Sequence, residues 1–184
     1  MTPIQLVIDL SKCIENVVKD YRMEESDNRE VMRAPKIWLQ SLPEKLYDGE
    51  PDPADYPLVL ILLDGGPVVE DELTFGISIT VAGYDDGQVI EGGVRDRQGW
   101  TIPASMAWRI IAYLSKNRTI GAAKMDITSL SWDLPADEQP VPQWYGTVYT
   151  TWSIPLPQPN YDLGNMNLYT NPPCDAALVE NIHT

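Results

Sequence analysis

Leu73-Thr74-Phe75-Gly76-Ile77-Ser78-Ile79-Thr80-Val81-Ala82-Gly83 alternates large apolar residues with small or polar ones along its whole length. Successive side chains of an extended chain point to opposite faces. Leu73, Phe75, Ile77, Ile79 and Val81 therefore form one apolar face, and Thr74, Gly76, Ser78, Thr80 and Ala82 form the other. A period of two held this long defines a strand with one side on a core. Such a strand needs partners, and the chain offers four. Leu58 to Leu63 is a continuous apolar run that reads as a buried strand. Asp64-Gly65-Gly66-Pro67 then makes a turn, with Gly tolerating positive φ and Pro presetting the next bend. Upstream, Lys36 to Leu42 is a short strand in which Ile37 and Leu39 share a face, and it ends at Pro43. Downstream lie Met125 to Leu134 and Trp144 to Pro155, joined through a loop holding Pro135, Pro140 and Pro142. In the last strand Val148, Thr150, Trp152 and Ile154 face one way, and Tyr149, Thr151 and Ser153 the other.

Two helices complete the pattern. Thr2 is a suitable N-cap and Pro3 occupies the first helical position, where a missing N–H costs nothing. Ile4, Val7, Leu10, Ile14, Val17, Val18 and Tyr21 then recur at helical spacing, with Asp9, Lys12, Glu15 and Lys19 between them. This predicts a helix over Pro3 to Tyr21. A second helix is expected from Pro103 to Lys116, capped by Thr101, with Ala107, Ile110, Ile111 and Leu114 as its apolar stripe and Gly121 in the connector that follows. Charged, aperiodic Glu24 to Glu30, acidic and proline-bearing Glu44 to Tyr56, and Tyr84 to Gly99 read as loops. The last is long enough to contact something. The expected fold is α+β: a mostly antiparallel or mixed sheet of four to five strands flanked by two helices, with an extended C-terminal tail. One domain spans residues 1–155. Residues 156–184 change character, mixing Pro157, Pro159, Pro172 and Pro173 with Asn160, Asn165, Asn167 and Asn171. Alone this tail would be extended or disordered. Its Tyr161, Leu163, Met166, Leu168 and Tyr169 fit docking on a neighbouring subunit.

Composition narrows the function. The 184 residues are 43% hydrophobic and 22% charged, enough for a core without disulfides or metals. No apolar run reaches the ~18 residues a membrane helix needs, and Met1 to Leu10 lacks the basic flank and cleavage site of a signal peptide. The expectation is a protein made in the cytoplasm. Thirteen basic residues face 27 acidic ones, for a net charge of −14. Phosphate backbones are held by Lys and Arg, so tight nucleic-acid binding is disfavoured. An acidic wall would instead let DNA slide past, although net charge also serves solubility. Cys13 and Cys174 lie far apart and read as reduced, Cys13 packing as a small hydrophobe in the first helix.

No chemistry-bearing constellation emerges. The one histidine, His183, is next to last, so neither a Ser-His nor a Cys-His pair has a place to form. Two Cys and this His do not make a zinc set. Asp48, Glu50, Asp52 and Asp55 imitate a calcium loop but lack its turn Gly and closing Glu, and Pro51 and Pro53 interrupt them. Glu70-Asp71-Glu72 is likewise a solvated acidic run, and Gly65-Gly66 and Gly92-Gly93 match no phosphate-binding fingerprint. The expectation is no enzyme, no cofactor and no metal. The six tryptophans, Trp38, Trp100, Trp108, Trp132, Trp144 and Trp152, are scattered over different elements, which fits core and interface anchors better than a sugar platform.

Two stretches carry a resemblance. One is Lys36-Ile37-Trp38-Leu39-Gln40-Ser41-Leu42-Pro43-Glu44-Lys45 with Asp55-Tyr56-Pro57-Leu58-Val59-Leu60-Ile61. The other, more specific, is Leu130-Ser131-Trp132-Asp133-Leu134-Pro135 followed by Gln139 to Pro155, including Gln143-Trp144-Tyr145-Gly146-Thr147-Val148. Both resemble bacteriophage tail terminator proteins of the Gram-positive phage and prophage type, as does the order of elements over residues 1–155. The tail beyond Leu156 departs from that family's compact pattern. The resemblance implies a virion structural protein of the tail and neck. It would assemble, usually as a hexamer, on the last ring of the tail tube, stop tube growth and present a surface to the head connector. Its implied partners are further copies of itself, the tail tube protein and the head connector, with DNA passing through the lumen unbound. A head–tail joining protein is the nearest alternative, and a small acidic partner-binding module is another. For a ring, Trp38, Leu42, Trp144, Tyr145, Tyr161 and Tyr169 are the candidate subunit or tube contacts. Asp48, Glu50, Asp52, Glu70, Asp71, Glu72, Asp85 and Asp86 are candidates for the lumen or docking loops.

Overall fold

Thr2 opens the first helix as its residue type dictates: extended backbone, with Oγ1 accepting the Gln5 N–H at 3.2 Å. In this computed structural model, which describes residues 1–24, 30–43, 46, 52–69, 71–89, 95–96, 98–135 and 139–156, helix α1 runs Pro3–Val18 and buries Leu6, Val7, Leu10, Ile14 and Val18. It stops a turn short of Tyr21, which lies beyond the helix yet is buried. Helix α2, Thr101–Lys116, buries Pro103, Met106, Ala107, Ile110 and Leu114. Thr101 is not its cap. Trp100 holds that position without a side-chain bond, while the Thr101 hydroxyl donates to the Gln98 carbonyl at 2.8 Å.

The strands are β1 (Arg22–Glu24), β2 (Glu30–Met32), β3 (Lys36–Leu39), β4 (Leu58–Leu63), β5 (Val68–Val69), β6 (Glu72–Tyr84), β7 (Gln88–Val89), β8 (Arg95–Asp96), β9 (Thr119–Ile120), β10 (Ala123–Asp133) and β11 (Gln143–Pro155). Seven of them form one curled sheet in the order β3-β4-β6-β11-β10-β9, with β5 added alongside β6. Only β3–β4 is parallel there, and the other pairs are antiparallel. The fold is therefore α+β, with a sheet wider than the four or five strands expected. The two extra strands, β5 and β9, are two residues each, too short to carry any period of their own. Two further small sheets are present. β1 pairs with β2 on either side of the charged stretch, sharing only its end residues Glu24 and Glu30, and β7 with β8 within the Tyr84 to Gly99 connection expected to be a loop. Residues 25–29 and 90–94 of those stretches lie outside the described residues, as does the tail from 157 to 184.

The period-two reading of β6 sets the layers. Phe75, Ile77, Ile79 and Val81 join Val59 and Ile61 of β4, Val148, Trp152 and Ile154 of β11, and the buried stripes of both helices in one core. Burying a large aliphatic or aromatic side chain stabilises by roughly 1.5–3 kcal/mol, and this cluster holds most of the buried ones among the described residues. Both helices lie on this inner face. They are antiparallel neighbours: the Ser105 hydroxyl donates to Tyr21 Oη at 3.0 Å, the Arg109 guanidinium sits 5.6 Å over the Tyr21 ring, and Cys13 of α1 lies beside Tyr113 of α2. Neither α1 nor α2 covers the outer face of the sheet, where Leu46, itself helical, packs.

Two irregularities have local causes. In β10 the register slips between Asp126 and Ser131. The Asp126 carboxylate accepts the Thr128 N–H and hydroxyl at 2.9 and 2.7 Å, and Ser129 Oγ accepts the Thr151 N–H at 2.7 Å in place of a ladder carbonyl. This is a bulge stabilised by its own side chains. In the turn after β4, Gly65 and Gly66 do not serve positive φ, which occurs at Gly87 and Gly121 instead. Gly66 is needed for close approach, because a Cβ there would stand 1.9 Å from the Thr74 carbonyl oxygen.

Candidate functional site

Alternation on β6 sends Ala82 and Tyr84 to the outer face, and the register places Leu58 of β4 and Tyr145 of β11 beside Ala82. The parallel β3–β4 pair adds Trp38 opposite Leu60. These positions, with Tyr56, Leu42 and Leu46, form a second apolar cluster on the side of the sheet away from the helices. Trp38, Leu42 and Tyr145, expected as contact residues, are thus brought together. Tyr56 and Tyr84, their rings 5.9 Å apart and tilted by 43°, complete the patch and were not among the expected contacts. The parity of β6, extended one residue past Gly83, is the signal that would have found Tyr84.

The surroundings of the patch are pinned by cations. Asp52 Oδ1 accepts the Ala54 N–H and starts a short 3-10 turn, Pro53–Asp55. Lys36 Nζ reaches the nearly buried Asp55 carboxylate at 2.8 Å and the Ala54 carbonyl at 2.9 Å. Arg33 donates to the Pro53 and Tyr56 carbonyls. Burial, then the neighbouring Asp55 and Tyr84, pushes the Tyr56 phenol above its ordinary value. On the opposite rim the Gln139 side chain pairs with both the N–H and the carbonyl of Tyr145, at 2.8 and 2.9 Å, as a neighbouring strand would. Trp38 differs from these satisfied groups, because its indole Nε1 is buried with no hydrogen-bond partner among the described residues.

Trp144 takes a different place. It lies on the inner side of β11, where its Nε1 donates to the Asp85 carbonyl at 3.1 Å, and a Cβ on Gly99 would strike its ring. It clamps the entry of α2 within the subunit. Asp85 also accepts the Gly87 N–H, and Asp86 beside it is exposed. Asp71 and Glu72 are exposed at the far end of β6. Asp71 turns the chain at φ +64 and its carbonyl accepts the Leu156 N–H at 2.8 Å. The acidic candidates therefore divide between the two ends of β6: Asp52, Asp85 and Asp86 at one, Asp71 and Glu72 at the other. Asp48, Glu50, Glu70, Tyr161 and Tyr169 lie outside the described residues.

Among the described residues no group of three or more His, Cys, Asp or Glu side chains is placed to share a metal ion. No helix there is long and apolar enough to cross a membrane. No known protein-family model matches the chain, and no curated protein matches it.

Proposed function

We propose that the chain is a ring-forming virion protein of the tail terminator kind, which ends growth of the phage tail tube and offers a face to the head connector. What carries the reading is the outer face of the sheet: α1 and α2 lie on the inner face, while the outer face bears an apolar cluster around buried Tyr56 whose Trp38, Leu42, Tyr84 and Tyr145 are only partly buried. Aromatic residues with little side-chain freedom are favoured contact anchors. The two strand-rich stretches that resemble tail terminators include Trp38, Leu42, Tyr56 and Tyr145 of this patch. The acidic groups at the two ends of β6 suit the axial faces and lumen of a ring through which DNA must slide.

The test is the virion phenotype of a phage whose copy of this gene is disrupted, imaged by negative-stain electron microscopy. Tailless heads beside tails of abnormal, overgrown length are the expected result, because only a missing stop leaves tube growth unchecked. Tails of normal length that fail to join heads would make the chain a head–tail joining protein instead, and intact virions would remove both readings.

A further inference from the structure

Helix α2 turns Ser105, Arg109 and Tyr113 toward α1. Ala104, Trp108 and Ile111, also at helical spacing, fall on the side away from α1, which borders β10. There Trp132 lies opposite Val148 and so on the inner face of the sheet, and Ile111, Ile127 and Leu130 are partly buried against the core. The result is an apolar ledge with α2 as its wall and β10 as its floor. On it Trp108 is 67% exposed and Trp132 48%. Beyond Lys124 no described strand pairs with the outer edge of β10, so the ledge runs along an open sheet edge.

Charge separates this ledge from the outer patch. Residues 98–125 hold no Asp or Glu, and Lys116 and Arg118 are exposed at the C-terminal end of α2. The exposed acids of β10, Asp126 and Asp133, stand opposite Thr151 and Thr147 and so belong to the outer face, as does Lys124 opposite Ser153. Beside the outer patch lie Asp52, Asp85 and Asp86, and its cations are engaged: Lys36 with Asp55, Arg33 with the Pro53 and Tyr56 carbonyls.

The chain beyond Leu156 matches the ledge in composition, length and starting point. Residues 157–184 contain Asp162, Asp175 and Glu180 and no Lys or Arg. Tyr161 and Leu163, then Met166 and Leu168, are each two residues apart, the spacing that lays extended side chains on one surface. Extended, Tyr161 to Tyr169 covers about 30 Å, and the 16 residues of α2 rise about 24 Å. Met125, opposite Trp152 near the end of β11, donates its N–H to the Arg118 carbonyl at 2.8 Å. The start of the segment and the basic end of the ledge therefore lie at one end of the sheet. Rotation about a ring axis keeps the same feature of every copy at one height, so the segment needs to travel only sideways to reach the next copy's ledge.

We propose that residues 157–169 of one copy dock along the α2–β10 ledge of the next, with Asp162 beside Lys116 and Arg118 and the apolar side chains against Trp108 and Trp132. The inference rests on the ring reading above and names its contact. A donated segment and a receiving ledge are the two different surfaces that a closed ring of identical copies requires.

Photo-crosslinking of the full chain carrying Trp108→benzoylphenylalanine identifies the occupant, in an equal mixture of isotopically labelled and unlabelled copies read by mass spectrometry. Crosslinks into residues 157–184 that join labelled to unlabelled chains are expected. Crosslinks confined to single chains would overturn donation between copies. Crosslinks to any other part of a neighbouring copy, or none, would overturn the segment as occupant. In sedimentation velocity, with circular dichroism checking each fold, Trp108→Glu should weaken self-association at least ~30-fold, the size of a hot-spot loss. Arg118→Glu and Asp162→Lys should each weaken it, and the double variant should regain it, because every contact between copies again pairs opposite charges. A folded Trp108→Glu chain that associates like wild type, or a wild type monomeric at every concentration, would overturn the contact. The virion phenotype decides the terminator reading separately in each case.

Discussion

Gly65 and Gly66 look interchangeable in the sequence, and their roles separate only once β6 is in place. A side chain at Gly66 would meet the Thr74 carbonyl oxygen at 1.9 Å and the Phe75 Cα at 2.8 Å, both main-chain atoms of a strand paired on either side. Neither can yield without shifting the sheet. Gly66→Ala should therefore cost about 2 kcal/mol or more, lowering the melting temperature by roughly 4–8 °C for a chain of this size. At Gly65 an added Cβ would have no neighbour within 4 Å, and the backbone there has no positive φ. Gly65→Ala should leave the melting temperature unchanged or raise it slightly, by restricting the unfolded chain by about 0.4–1 kcal/mol. Equal losses at the two positions would mean the turn is not packed on β6 as described. The same distance between pattern and contact explains the candidate site. Trp38, Leu42 and Tyr145 were legible as aromatic or apolar residues near strand ends, but Trp144, adjacent to Tyr145, points to the other side of the sheet and fastens α2.

At the scale of elements, the long periodic segments were readable because their hydrophobic period is imposed by the core itself. The face assignments of β6 and β11 and the buried stripe of α1 follow from that one constraint. β5, β9 and the β1–β2 and β7–β8 pairs were not readable, since two or three residues hold no period and their conformation is set by hydrogen bonds to a partner. The packing of α1 against α2 was equally hidden, and it makes a pH-dependent prediction. Burial chiefly, against the Ser105 hydroxyl and Arg109, raises the Tyr21 phenol above its ordinary 10.0. A group whose folded value is raised contributes stability that is fully present below the unfolded value and is lost as pH rises through the folded one. Denaturant midpoints should therefore hold below about pH 10 and fall above it. Tyr21→Phe should lower the midpoint at neutral pH, through the lost Ser105 bond, yet show a shallower decline on the alkaline side. Tyr56 and Tyr113, also shifted upward, would keep some slope in the variant. Identical alkaline slopes for the two chains would place Tyr21 in solvent, away from the helix pair.

For the molecule as a whole, the question is what a subunit needs in order to fold and what it needs in order to assemble. Among the described residues, every member of the main core lies between Leu6 and Ile154, drawn from both helices and the inner sheet face. The last described contact of the chain is the Leu156 N–H donating to Asp71 at the end of β6. Beyond it the sequence is rich in proline and asparagine and has no period from which to build a second core, yet it retains Tyr161, Leu163, Met166, Leu168 and Tyr169. Apolar groups that cannot form a core of their own find their partners on another surface, and on the proposed ring reading the nearest such surface is the adjacent copy. A chain ending after Leu156 should then melt within ~3 °C of the full-length protein, a difference of about 1 kcal/mol, while its self-association weakens in sedimentation. The two readouts separate the alternatives. A melting temperature lowered by more than ~5 °C would make the segment part of the subunit's own core and move the domain boundary past residue 155. Unchanged stability with unchanged association would leave any self-contact within residues 1–156 and direct the tail toward the tube or the connector.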